Sequence, residues 1–211
     1  MGILSQLFSN PLLFLVFIVV FLFTLAIHEA SHALAAHWEG DETARRVGRL
    51  TLNPFAHVDL LGMLVLITVG FGWGKPVPFN PYNLKHRRWG PTFVAIAGPV
   101  ANLVGGALCA LIGRFVAPWL GTENLLIMVL EYGAFMNFSL LLFNLIPLPP
   151  LDGSKILLSI LADERYAKTR MFLETRGPFL LLLFILADTA LGINLFGWIS
   201  RGALGLVNFF G

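Results

Sequence analysis

The sequence predicts an α-helical polytopic membrane protein, with about four full transmembrane helices and a re-entrant or β-strand insert on one side of the bilayer. Three observations predict it. Of 211 residues, 57% are apolar and 12% are charged, about half the charged share of a soluble domain, and the mean hydropathy is +0.79. Four stretches approach the roughly 20 apolar residues that a span requires. These are 11–27, 89–113, 125–148 (broken only by Glu131) and 177–200 (broken only by Asp188). Finally, twelve of the fourteen Lys and Arg residues fall in two segments, one after the first of these stretches and one after the third. The composition excludes a disordered chain, a nucleic-acid binder with a basic stripe and an ordinary soluble enzyme. The single cysteine, Cys109, excludes an internal disulfide and a Cys-rich zinc module.

The chain reads as one membrane-embedded domain over 1–211. Its first helix covers 10–37. No basic segment precedes the apolar run and no A-x-A-like site follows it, so it reads as a permanent helix and not as a cleaved leader. The insert, 41–88, contains an apolar stretch at 60–74 that is short and rich in glycine. If that stretch crossed, the basic residues would divide five against nine. If it dips and returns, twelve share one face, the arrangement that the positive-inside rule favours. Both 40–88 and 149–176 are then expected on the cytoplasmic side, with both termini outside. The second span, 89–117, carries small residues four apart: Ala97, Ala101, Gly105 in one row and Gly98, Asn102, Gly106, Ala110 in another. Small residues at that spacing let helices approach closely, whereas the amide of Asn102 inside a span needs a partner or a task. The helix over 125–148 leads into a Pro-rich turn, and 177–200 is the expected C-terminal helix. Trp73, Trp89, Trp119 and Trp198 lie near span ends, where interfacial anchors belong.

Near the end of the first span the chain reads His28-Glu29-Ala30-Ser31-His32. Imidazoles at i and i+4 face one way on a helix and can share one zinc ion. The glutamate between them can take a proton from water at the metal's open position. Catalytic zinc takes three protein ligands, and the candidates for the third are His37, His57, Asp59 and Asp152. His37 lies off the ligand face. His57 and Asp59 sit in an extended segment with Pro54. Asp152 follows Pro147, Pro149 and Pro150, which end the helix and free a carboxylate to turn inward. Its position equally suits an N-cap of the next helix. Glu131 and Asp188 read as buried helix-packing acids.

HEASH on a helix, Ala97-Gly98-Pro99-Val100-Ala101-Asn102 and Asn144–Gly153 (NLIPLPPLDG) occur in this order. Together they resemble the site-2 protease family of intramembrane zinc metalloproteases, over about residues 20–160. The resemblance implies one zinc ion per subunit, held by His28, His32 and Asp152, with Glu29 as general base and acid. It implies that Asn144 helps hold substrate or oxyanion, with Asn102 a weaker candidate for the same task. It also implies membrane-associated β-strands after the first helix, one of which pairs with substrate, and Gly74 to Pro81 matches such a stretch. Lys75, Pro76, Val77, Pro78, Phe79 and Asn80 are the expected pairing residues, and prolines there suit an exposed edge. No PDZ or CBS domain is visible, which places the chain with minimal members. The implied activity is hydrolysis of a peptide bond within or near a transmembrane segment of a membrane protein. The implied setting is a lipid bilayer, of a bacterial inner membrane, with the active site towards the cytoplasm and no nucleic-acid partner.

Two rival readings use the same residues. A divalent-metal transporter would string His28, His32, Asp152, Glu131 and Asp188 along an ion path, but transporters commonly show internal repeats, and none is visible. A catalytically silent membrane scaffold would tolerate Glu29→Gln.

Overall fold

The structure is a computed structural model, and it describes residues 7–69, 72–192 and 194–211. Among the described residues, three helices are long and apolar enough to cross a membrane: α1 (Pro11–Trp38), α4 (Gly90–Leu120) and α5 (Leu125–Asn144). Short helices α2 (Thr43–Arg46), α3 (Leu60–Val69) and α6 (Gly153–Ile160) lie in the connections, and α7 (Ala167–Leu191) and α8 (Leu195–Phe210) complete the chain.

Asn10 starts α1 by accepting a hydrogen bond from the Leu13 N–H, and Pro11 supplies the preset φ of a first helical residue. The helix buries Val16, Val20, Thr24, His28, His32 and Ala36. These recur every fourth residue, so one stripe runs from an apolar beginning into the imidazoles. α4 answers with Val94, Gly98, Asn102, Gly106 and Ala110, also buried and four apart. Its small residues admit the neighbours. The Phe138 ring of α5 packs on Gly106, where an added Cβ would lie 2.8 Å from the ring. Phe138 is fully buried with Ala110, Ala134, Leu141 and Ala203, which ties α4, α5 and α8 together. α1, α4 and α5 thus pack mutually, with α8 against α5 and α4.

The insert departs from the expected β-strands. The described residues contain only one isolated antiparallel bridge, Val58 with Gly74, flanked by a 2.8 Å hydrogen bond from Lys75 N–H to the His57 carbonyl. The cause is covalent: Pro76, Pro78 and Pro81 lack the N–H that a ladder needs. The stretch 60–74 forms α3, whose ten residues reach about 15 Å, half of the roughly 30 Å of a bilayer core. The chain comes back against it, since a Cβ on Gly62 would collide with the Trp73 carbonyl. Gly70 and Phe71 of that stretch lie outside the described residues.

The single span expected over 177–200 is divided. Gly192 (φ 66°) and Asn194 (φ 65°) both adopt the left-handed conformation, which ends α7 and starts α8. Ile193, between them, lies outside the described residues. Asp188 accepts a hydrogen bond from the Leu195 N–H, bridging the break. α8 is apolar, but its 16 residues reach about 24 Å.

Candidate metal centre

His28 and His32 lie one turn apart on α1, and both are buried. Each ring is oriented through Nδ1. His32 Nδ1 lies 2.8 Å from the Val94 carbonyl, which can only accept, so Nδ1 carries a proton and, in the neutral ring, Nε2 is free to bind a metal. His28 Nδ1 lies 2.5 Å from Asn102 Oδ1. The two Nε2 atoms are 3.0 Å apart.

Asp152 arrives from the other end of the sequence. Residues 145–152 leave the helical path after α5 through Pro147, Pro149 and Pro150, and α6 begins at Gly153. Asp152 occupies the N-cap position of α6 but makes no capping hydrogen bond. Its Oδ2 lies 3.2 Å from His28 Nε2 and 3.3 Å from His32 Nε2, is buried and receives no hydrogen bond. With both rings neutral and protonated on Nδ1, two imidazole nitrogens and a carboxylate oxygen turn lone pairs towards one point, an arrangement that a shared cation stabilises. Tetrahedral bonds of about 2.0–2.1 Å would set their donors about 3.3 Å apart, close to the separations seen. The three residues fit one metal ion.

The cluster opens onto a cleft of 640 Å³, which Glu29, Asn144 and Lys155 also line. Glu29 is buried beside the imidazoles. Asn144, the last residue of α5, donates its amide to the Leu140 carbonyl, 3.0 Å away. Phe21, Leu25, Phe143 and Leu181 give the cleft apolar walls, and Pro76, Val77 and Phe79 form one rim.

That rim is an extended strap, residues 72–80, pinned at both ends. Arg49, 5% exposed, donates from its guanidinium to the Lys75 carbonyl. Burial draws the guanidinium below its ordinary pKa, and the Glu29 carboxylate opposes that. At the far end, buried Asp41 accepts hydrogen bonds from Asn80 N–H (2.6 Å) and Asn83 Nδ2 (2.9 Å) as well as from Thr43. Burial works against the Asp41 charge. The hydrogen bonds from Thr43, Asn83 and Asn80 outweigh it and hold the carboxyl below its usual range.

Other candidates are placed elsewhere. His57 is fully buried with Nε2 2.9 Å from the Thr51 carbonyl. Asp59 accepts from the Gly62 N–H at the start of α3. His37 pairs with Glu42 at 2.7 Å. Glu131 lines a separate pocket with Leu13, Glu123 and Leu204. Asn102, the weaker candidate beside Asn144, does not line the cleft. It is fully buried behind His28, and its amide donates to Asn137 Oδ1 at 2.9 Å. Reading the sequence did not single out Arg49, Gly98 or Asn137. Asn137, a lone amide in an apolar span, carried the same signal as Asn102.

The model of peptidase family M50 matches residues 120–184, which hold Asn144 and Asp152. The Bacillus subtilis (strain 168) protein provisionally named zinc metalloprotease YwhC is 39% identical over 149 residues, 66% of this chain and 66% of that protein. The Mycobacterium tuberculosis (strain H37Rv) protein provisionally named zinc metalloprotease Rip2 is 30% identical over 184 residues, 82% of this chain and 67% of that protein. The chain belongs to peptidase family M50, the site-2 protease family. The Mycolicibacterium smegmatis Rip2, likewise provisionally named, is 35% identical over 146 residues. The M50 chain spans 55–67% of the length of these curated relatives. No solved structure matches it.

Proposed function

We propose that the chain is an intramembrane zinc metalloprotease that hydrolyses a peptide bond within or near a transmembrane segment of another membrane protein. One observation carries the reading: two imidazoles and a carboxylate converge near the end of a helix long and apolar enough to span a bilayer, with a second carboxylate in the same cleft. His28, His32 and Asp152 would hold one zinc ion per subunit, and zinc, when bound, supplies a Lewis acid that lowers the pKa of water towards about 7.

The protein's own groups do the rest. Glu29 removes the proton from the attacking water and returns it to the leaving amine. The Asn144 amide donates to the oxyanion that forms on the scissile carbonyl. Loss of one such donor costs on the order of 10²–10³ in kcat. A substrate helix hides its carbonyls in its own hydrogen bonds, so it is cut only after unwinding. The strap over Lys75, Pro76, Val77, Pro78, Phe79 and Asn80 holds the extended form by strand addition along the edge of Val77 and Phe79, whose N–H groups alternate with the prolines. The apolar walls of the cleft suit a segment drawn from the bilayer. The reading places the site at the cytoplasmic face of a bacterial inner membrane.

Glu29→Gln tests it. The purified variant is expected to keep its zinc by metal analysis and to lose cleavage of a membrane-protein substrate that the parent protein cuts. Cleavage at the parent rate would remove Glu29 as the base.

A further inference from the structure

The ring of His28 is held differently from that of His32, and the difference points along a chain of buried amides. Asn137 Nδ2 donates to the Gly133 carbonyl (2.8 Å) and approaches Thr24 Oγ1 (3.3 Å). Asn137 Oδ1 accepts from Asn102 Nδ2 (2.9 Å). Asn102 Oδ1 then faces His28 Nδ1 at 2.5 Å. Asn102 is 0% exposed, and Asn137 and Thr24 are each 4% exposed, so water does not compete for these bonds.

A backbone carbonyl has no proton to give, and that fixes the polarity of every link. Gly133 must accept, so Asn137 presents its NH₂ to Gly133 and its oxygen to Asn102. Asn102 must then present its NH₂ to Asn137 and its oxygen to His28. An amide oxygen accepts only, so His28 carries a proton on Nδ1, and in the neutral ring this leaves Nε2 bare, aimed at Asp152 Oδ2 and His32 Nε2. His32 reaches the same state in one step through the Val94 carbonyl. Reversing any amide would set two donors or two acceptors face to face in a buried site, which costs more than a missing bond.

We infer that Asn102 and Asn137 are positioning residues that form a directional amide relay from the Gly133 carbonyl to His28, selecting the tautomer that can bind a metal. The inference rests on the zinc reading above. It differs in that the relay acts on the metal-free protein, before any ion arrives, and Asn137 touches neither the ligands nor the cleft. Partners behind a ligating imidazole are worth about 10–100-fold in metal affinity.

The test uses the full chain in detergent, with the His28 ring tautomer read from ¹⁵N shifts of metal-free protein and zinc affinity read by chelator competition. The parent protein is expected to show the Nδ1–H form. Asn102→Leu is expected to mix the tautomers and to weaken zinc binding about 10–100-fold. Asn137→Leu is expected to do the same to a smaller degree. Asn102→Asp keeps an acceptor on Nδ1 and is expected to retain both the tautomer and the zinc. A purely structural role would lower thermal stability in all three variants and leave the tautomer alone. Unaltered ring shifts and affinity in Asn102→Leu and Asn137→Leu would overturn the relay. Should Asn137→Leu fail to fold, equal zinc affinities in Asn102→Leu and Asn102→Asp would overturn it. A parent protein that binds no zinc yet shows Nδ1–H would sink the proposed function and leave the relay standing.

Discussion

Gly98 leaves no room for a methyl group: an added Cβ would lie 2.5 Å from His32 Nε2 and 2.6 Å from His28 Cε1. Real Cβ atoms do not approach that closely, and the imidazoles cannot retreat, because each is held through Nδ1. Gly98→Ala is therefore expected to turn both rings off their common point and to weaken zinc binding about as much as losing an outer partner does, 10-fold or more, with little loss of helix content. Metal analysis after dialysis checks it. At this scale the sequence was legible where residue type and spacing alone define chemistry. His28, Glu29 and His32 stand at helical spacing, whereas Asp152, after three prolines, suited a helix cap as well as a ligand until the family resemblance favoured the ligand. It was illegible where function comes from contact between distant residues. His28 and Asn102 are 74 positions apart, and nothing in either says that the amide supports the ring instead of facing substrate. Gly98 likewise read as one rung of a packing ladder, whereas its neighbours are the ligands themselves.

Among the elements, the strap shows how a segment that pairs with no strand among the described residues is kept extended beside a cleft. Its prolines were legible, and an exposed edge of a sheet was expected from them. The ladder expected around it did not form, because too few N–H groups remain to pair. Side chains do the fastening instead, through Arg49 at Lys75 and Asp41 at Asn80 and Asn83. Asp41→Ala leaves the Asn80 N–H and the Asn83 amide without their buried acceptor, which costs about 1–3 kcal/mol for such groups. Trypsin is then expected to cut faster after Lys85, Arg87 or Arg88, with the three long helices intact. The pH dependence has a definite sign. A carboxyl whose folded pKa is depressed stabilises fully above its unfolded value, here 3.8, and loses that contribution as pH falls through the lower folded value. Hydrogen exchange of residues 80–83, corrected for intrinsic rates, is therefore expected to stay flat between about pH 8 and pH 5 and to rise only in stronger acid. A rise near neutrality would mean that another group fastens the strap.

For the whole molecule, the path of the chain after α6 decides what walls the cleft on that side. The apolar run over 177–200 read as one span, because apolar content does not register backbone conformation. Gly192 and Asn194, both left-handed, divide the stretch. The first piece, in α7, brings Pro178, Leu181 and Ile185 to the cleft. The second, α8, starts with Phe196 stacked on Phe143 near the metal end of α5. It finishes with Arg114, far along α4, donating to the Gly211 carbonyl at 2.7 Å. α8 thus runs from the metal end of the bundle towards the opposite end, where α4 passes to α5 through Gly121 to Asn124. Its length of about 24 Å falls short of a roughly 30 Å core by an amount that local thinning of the bilayer accommodates. With twelve of the fourteen basic residues at the metal end, that end is expected to face the cytoplasm. In a Cys109→Ala background, Glu123→Cys and Gly211→Cys are both expected to react with a membrane-impermeant maleimide on intact cells. Arg87→Cys and Arg165→Cys are expected to react only after permeabilisation. If Gly211→Cys instead follows Arg87→Cys, α7 and α8 form a hairpin that enters the bilayer and leaves on the same side. The cleft would then be walled by a segment that never crosses, and a substrate would have a lateral entrance where four full spans would leave a seam.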